Sequence, residues 1–232
     1  MAQPRKSDGQ YWDVAWNPIM GCTPISDGCE HCWAAAVMTR FKTGDPRKIQ
    51  FHPKRLAQPA RWRKPRTIAM CWLGDPFHDD VPESWLYRVF AVIANNPQHR
   101  YLILTKRAKR MEEFLRHREP MQQVWLGTSI ESGKYLDRLE PLEILKRRFW
   151  KTWLSLEPLL GPIQWHGVEH DDPHWAVVGA ETGAGARPCK IEWLTDLVTQ
   201  LRGRGVFVKQ IDNRKTPFEQ WPAALQVREY PW

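Results

Sequence analysis

What most constrains this chain is an alternation along its length. Seven short apolar or β-branched runs, "WDVAW" (12–16), "TIAMCWL" (67–73), "YLILT" (101–105), "VWLGTS" (124–129), "WKTWLSL" (150–156), "WAVVGA" (175–180) and "VFVKQ" (206–210), are separated by longer stretches, among them "PESWLYRVFAVIANN" (82–96) and "IEWLTDLVTQLRGRG" (191–205), whose apolar residues recur with a helical period. Pro82 marks a first turn, Asn95 and Asn96 an end, and Gly203 and Gly205 lie just past another. Strands alternating with helices predict a parallel α/β fold, and crossovers of one hand wind naturally into a TIM-like barrel or partial barrel. An open doubly wound sheet is the alternative, because a sequence does not state strand order. At 232 residues one domain over 1–232 is expected.

The residues just past each run point to a site. In order these are Cys22, then Asp75 and His78, Lys106 and Arg107, Ser129 and Glu131, Glu157, Glu181, and finally Lys209, Gln210 and Asp212. In a parallel barrel all carboxyl ends of the strands share one face, so these residues are expected to converge at a single mouth. The competing reading is a set of ordinary solvated loops.

Charge adds a partner class. Lys and Arg number 34 against 26 Asp and Glu, a formal net charge of +8, and much of the excess lies in a basic insertion at about 40–66, in "LTKRAKRM" and in "LKRR". Such clusters suit nucleic acid or a phosphorylated ligand, or else form a solvated cationic face. The fourteen tryptophans are scattered and expected in the core or at rims rather than on a base-stacking platform. No run approaches the roughly 18 apolar residues of a membrane span, and "MAQPRKSDGQ" does not resemble a signal peptide, so a cytoplasmic protein is expected.

Five cysteines, three of them clustered, do not read as a secreted disulfide framework. Cys22, Cys29 and Cys32 are spaced C-x6-C-x2-C in a loop at about 17–33 that carries Gly21 and Gly28. Two thiolates two residues apart can bind one metal ion or two corners of a cluster. A three-thiolate [4Fe–4S] cluster would leave one iron open. Zinc would need a fourth ligand such as His31, Cys71 or water, and free thiols would need nothing. Cys71 and Cys189 stand alone.

The position of these cysteines, after the first strand of an expected barrel, resembles the radical S-adenosylmethionine (SAM) superfamily. Through "WNPIMGCTPISDGCEHCWA", "GDPFHDDVP", "LTKRAKRM", "SLEPLLGPI", "VVGAETGAGARP" and "VFVKQ", the sequence also resembles a phage-encoded family with a three-cysteine motif. The resemblance implies a [4Fe–4S] cluster on Cys22, Cys29 and Cys32, with SAM as cofactor. It places Gly74 and Asp75 near the SAM amino group, Ser129 and Glu131 at the ribose, and Gly179 and Glu181 near the adenine. Glu157, held extended by Pro158, and Lys209 are the candidate catalytic groups; Lys106, Arg107 and Arg187 are candidates for holding an anionic substrate. His78 reads first as a satisfied loop histidine. The implied function is an iron–sulfur enzyme acting on a nucleotide, nucleic acid or modification intermediate in a host cytoplasm, with an electron donor as partner. A zinc-stabilised nucleic-acid-binding protein without catalysis is the alternative.

Overall fold

The computed structural model describes residues 9–164 and 173–232. Its strands are β1 (Val14–Trp16), β2 (Ile19–Met20), β3 (Gln50–Phe51), β4 (Thr67–Met70), β5 (Arg100–Thr105), β6 (Val124–Ser129), β7 (Lys151–Leu156), β8 (Ala176–Gly179) and β9 (Val206–Gln210). The helices are α1 (Trp33–Arg40), α2 (Gln58–Arg61), α3 (Glu83–Ala94), α4 (Ala108–Leu115), α5 (Leu139–Arg147) and α6 (Ile191–Gln200).

Seven strands form one parallel sheet in the order β1-β4-β5-β6-β7-β8-β9, and β2 and β3 make a separate antiparallel pair. The order never reverses, which excludes a doubly wound sheet: that fold requires a switch point. The sheet curls into a half-barrel, a partial TIM-type barrel.

Side chains alternate across a strand, and here both faces are apolar but differently filled. Toward the helices, Met70, Ile103, Leu126, Leu154, Val178 and Val208 share one core with residues such as Leu86, Met111, Leu142 and Leu194. The other face carries Leu102, Trp125, Trp153, Val177 and Phe207, closed over by Tyr11 and Trp175, with Trp12 and Trp72 packed at the margin. Trp125, Trp153 and Trp175 therefore plug the concave side as core, while Trp16 and Trp150 pack in the helix-side core. Trp153 lies so close over Gly127 that a Cβ there would run into the indole.

Each of the seven runs contains a strand, but several strands are shorter than their runs. β4 stops at Met70 because Cys71 turns into the left-handed region (φ 56°) while its N–H still bonds the Trp16 carbonyl. α6 stops at Gln200, short of Gly203 (φ 87°), and Pro82 sits just before the first residue of α3 rather than within it. The expected basic insertion forms β3, a 3-10 turn at Pro53–Ala57 and α2, with Arg40, Lys42, Arg47, Lys48, Arg61, Arg63 and Lys64 exposed. No helix among the described residues is long and apolar enough to cross a membrane.

Candidate active site at the strand ends

The cysteine loop starts where Gly21 (φ 89°) bridges Gly74 in the loop after β4. Both glycines are needed for this approach: a Cβ on Gly74 would stand 2.8 Å from the Gly21 carbonyl, and one on Gly21 would overlap Lys48 backbone. From there the loop passes over the carboxyl ends of the strands and is tied down at three buried carboxylates.

Asp75 is the first. Its Oδ1 accepts from the Thr105 hydroxyl at 2.7 Å and the Phe77 N–H at 2.9 Å, and its Oδ2 accepts from Arg107 Nη1 at 3.1 Å and the Lys106 N–H at 3.3 Å. Arg107 Nη1 also reaches Cys22 Sγ at 3.6 Å, and Nη2 reaches Thr23 Oγ1 at 3.2 Å. Glu131, fully buried, is the second. Ser26 donates to its Oε1 at 2.6 Å, Lys106 pairs with the same oxygen, and Arg138 Nη1 donates to Oε2 at 2.9 Å. Gly28 is packed onto this carboxylate, where a Cβ would stand 2.6 Å from Oε1. Lys106 Nζ donates onward to Ser26 Oγ at 2.9 Å and to Cys29 Sγ at 3.5 Å.

Glu181 is the third. Arg187 grips it with Nε at 2.8 Å and Nη2 at 2.5 Å, its own backbone N–H adds a bond of 2.8 Å, and His31 Nδ1 lies 3.2 Å away. The same guanidinium reaches Glu30 Oε2 and the Asp27 carbonyl, each at 3.0 Å, so Arg187 joins the strand end to the loop. Burial alone would raise the Glu181 carboxyl, but the Arg187 and His31 hydrogen bonds outweigh it and hold the group at about 2.

The thiols differ among themselves. Burial, reinforced by Asp75, pushes Cys22 up to about 11 against the opposing pull of Arg107. Burial also acts to raise Cys29, yet the Lys106 charge and the Ser26 hydrogen bond bring it below the ordinary thiol value. Cys71 is wholly buried in the helix-side core, and burial pushes both it and Cys189 up to about 12. All five are free, and among the described residues no His, Cys, Asp and Glu group stands in ready metal-holding geometry. What fits a thiolate-bound group is the donor set: three thiols on one loop over the barrel mouth, with Arg107 beside Cys22 and Lys106 beside Cys29.

Of the residues singled out by sequence, Cys22, Cys29, Asp75, Lys106, Arg107, Glu131, Glu181 and Arg187 are bonded to one another or to the cysteine loop. Ser129 is buried at the end of β6, beside them in sequence. Glu157 lies further along the mouth, where Lys209 Nζ (3.0 Å) and Gln210 Nε2 (3.1 Å) bond its Oε1; a Cβ on Gly179 would stand 2.7 Å from that oxygen. Asp212 instead caps a turn through the Lys215 and Thr216 N–H groups. His78 is satisfied, with Nε2 against Thr23 Oγ1 at 2.7 Å and Nδ1 accepting the Asp80 N–H at 3.1 Å. Ser26, Tyr135 and Arg138 join the site without any local sequence pattern to mark them; Tyr135 accepts the Asp27 N–H at 2.9 Å.

Residues 6–221 match the family model described as "Protein of unknown function (DUF5131)". The chain belongs to this family. No curated protein matches the DUF5131 chain. Among solved structures its fold is similar to spore photoproduct lyase complexed with dinucleoside spore photoproduct, at a TM-score of 0.54 and 13% identity over 84% of this chain and 75% of the other. A mutant of the lyase with bound AdoMet and the same dinucleoside aligns at a TM-score of 0.49 and 14% identity, over 84% of this chain and 54% of that one.

Proposed function

We propose that this DUF5131 protein is an iron–sulfur enzyme of radical SAM type that acts on a nucleotide, a nucleic acid or a modification intermediate. The observation that carries this reading is the placement of Cys22, Cys29 and Cys32 on one loop over the carboxyl-end mouth of a parallel half-barrel, with Arg107 and Lys106 directed at two of the sulfurs. The three thiolates would hold a [4Fe–4S] cluster; Gly74, Asp75, Ser129, Glu131, Gly179 and Glu181 would hold SAM. When bound, the pair supplies reductive cleavage of SAM and, through it, a radical able to abstract hydrogen.

The chain's own residues position and shield. Asp75, Glu131 and Glu181 fix the loop through Arg107, Lys106 with Ser26, and Arg187, and the aromatic plug beneath keeps water out of the barrel. Lys106, Arg107 and Arg187 are already paired with carboxylates, so in this arrangement their charge serves the loop before it serves a substrate. The exposed basic residues of 40–66 supply the attraction for a phosphodiester partner. The fold neighbour's ligand, a dinucleoside photoproduct, belongs to the same substrate class.

Anaerobically purified protein is expected to be brown, to contain iron and sulfide, and on reduction with SAM to release methionine and 5′-deoxyadenosine. Colourless protein with stoichiometric zinc and salt-dependent nucleic-acid affinity would replace this reading with a zinc-stabilised binding protein.

A further inference from the structure

The opposite end of the sheet carries a second feature that the mouth chemistry does not use. A hollow of about 590 Å³ opens at the amino ends of β5, β6 and β7, within the size range of small-molecule sites. Arg100 and Lys151 line it with the rings of Trp125, Phe149 and Trp232, and His174 completes one wall. No aspartate or glutamate lines it among the described residues.

The charges are placed against aromatic faces. The Arg100 guanidinium stands 4.3 Å from the Trp232 ring centre and Lys151 Nζ 5.7 Å from that of Trp125. Burial lowers Arg100 to about 10 against the opposing charge of Asp13, and its Nη1 donates to Thr67 Oγ1 at 3.1 Å. His174 is lowered first by burial and then by Lys146 and Lys151, which reports the same positive field. Its Nδ1 accepts the Thr152 N–H at 3.1 Å, which leaves the ring proton on Nε2 as a donor. At the rim Phe149 is held in the left-handed region (φ 66°) and is 81% exposed, an unusual conformation and an unusual exposure for a bulky apolar residue.

We propose that this hollow is a binding site for a nucleoside monophosphate unit, the phosphate held by Lys151 and Arg100 and the base stacked on Phe149. A phosphate needs cations and a base needs an exposed aromatic face; few other ligand classes require both within one cavity. The unit is either a free nucleotide or one residue of a single strand. The site stands apart from the cysteine loop and does not depend on the metal.

Calorimetric titration of the metal-free full-length protein tests this, with adenosine 5′-monophosphate, adenosine and a short oligodeoxythymidylate as probes. The monophosphate or the oligonucleotide is expected to bind at one site and adenosine more weakly. Lys151→Gln should weaken binding about tenfold by removing a charge-assisted hydrogen bond. Phe149→Gly, which suits the left-handed backbone and so leaves the fold intact, should weaken it about fivefold or more. Tighter binding of the oligonucleotide, with competition by the monophosphate, identifies the source as a strand; equal or weaker binding identifies a free nucleotide. Absence of binding by both phosphorylated probes, or affinity unchanged in both variants, overturns the proposal. Neither result bears on the iron–sulfur reading, whose test is metal content and SAM cleavage.

Discussion

Replacing Glu181 by glutamine tests whether the buried carboxylates hold the cysteine loop. Glu181 is almost wholly buried and receives the Arg187 fork, which also grips Glu30 and the Asp27 carbonyl. Its carboxyl titrates at about 2 in the folded protein against an ordinary 4.5. At about 1.4 kcal/mol for each tenfold change, the ionised form contributes about 3 kcal/mol near neutral pH, in line with the loss expected when a buried ion pair loses one partner. Because the folded value is depressed, this contribution is present above about pH 4.5 and declines as pH falls toward about 2. In urea titrations of metal-free protein, E181Q should therefore be less stable than wild type by about 3 kcal/mol near pH 7 but only about 1 kcal/mol near pH 3. Hydrogen exchange of residues 27–31 should accelerate in the variant at neutral pH. A gap of the same size at both pH values, or one below about 0.5 kcal/mol near pH 7, would refute the anchoring role.

Alanine at Cys22, Cys29 or Cys32 should abolish metal uptake measured by elemental analysis, whereas alanine at Cys71 or Cys189 should leave it intact, since Cys71 lies in the helix-side core. Gly127→Ala should cost about 1–3 kcal/mol in urea unfolding, because the new methyl meets the Trp153 indole. Asp75→Asn should destabilise by about 3 kcal/mol in thermal unfolding by removing the buried one of the two carboxylates paired with Arg107; a loss below about 1 kcal/mol would show that the exposed Asp79, with Thr23 and Cys22, suffices for that guanidinium. For the same reason any weakening of SAM binding in Asp75 or Glu131 variants must be read beside loop order, because both carboxylates already accept bonds from their own chain.

Local pattern carried the architecture. The seven runs were legible because a buried strand needs only a few apolar residues between breakers, and parallel strands followed from the helical stretches between them. Strand ends were less legible: nothing local to "TIAMCWL" reports that Cys71 takes a positive φ to reach Trp16, a contact 55 positions away.

The site divided in the same way. That ionisable residues follow the strands could be read directly, and a parallel sheet puts all of them at one end. Their pairing could not be read, because Lys106 with Glu131, Arg107 with Asp75 and Arg187 with Glu181 depend on how the strands curl and where the loop lands. Sequence offered these cations to a substrate, and tertiary structure spends them on carboxylates, since a charge taken out of water must find its counter-charge within a few ångströms. The glycines show the same limit. Gly28 read as part of a loop and Gly179 as a neighbour of the adenine, yet Gly28, Gly127 and Gly179 each leave room for one large or charged side chain, Glu131, Trp153 or Glu157, that arrives from another strand or the loop after it. By itself the sequence determined the succession of elements and the chemistry at their ends, both encoded within a few neighbouring residues; only the fold decided which charges meet and which faces close, because those contacts join residues tens of positions apart.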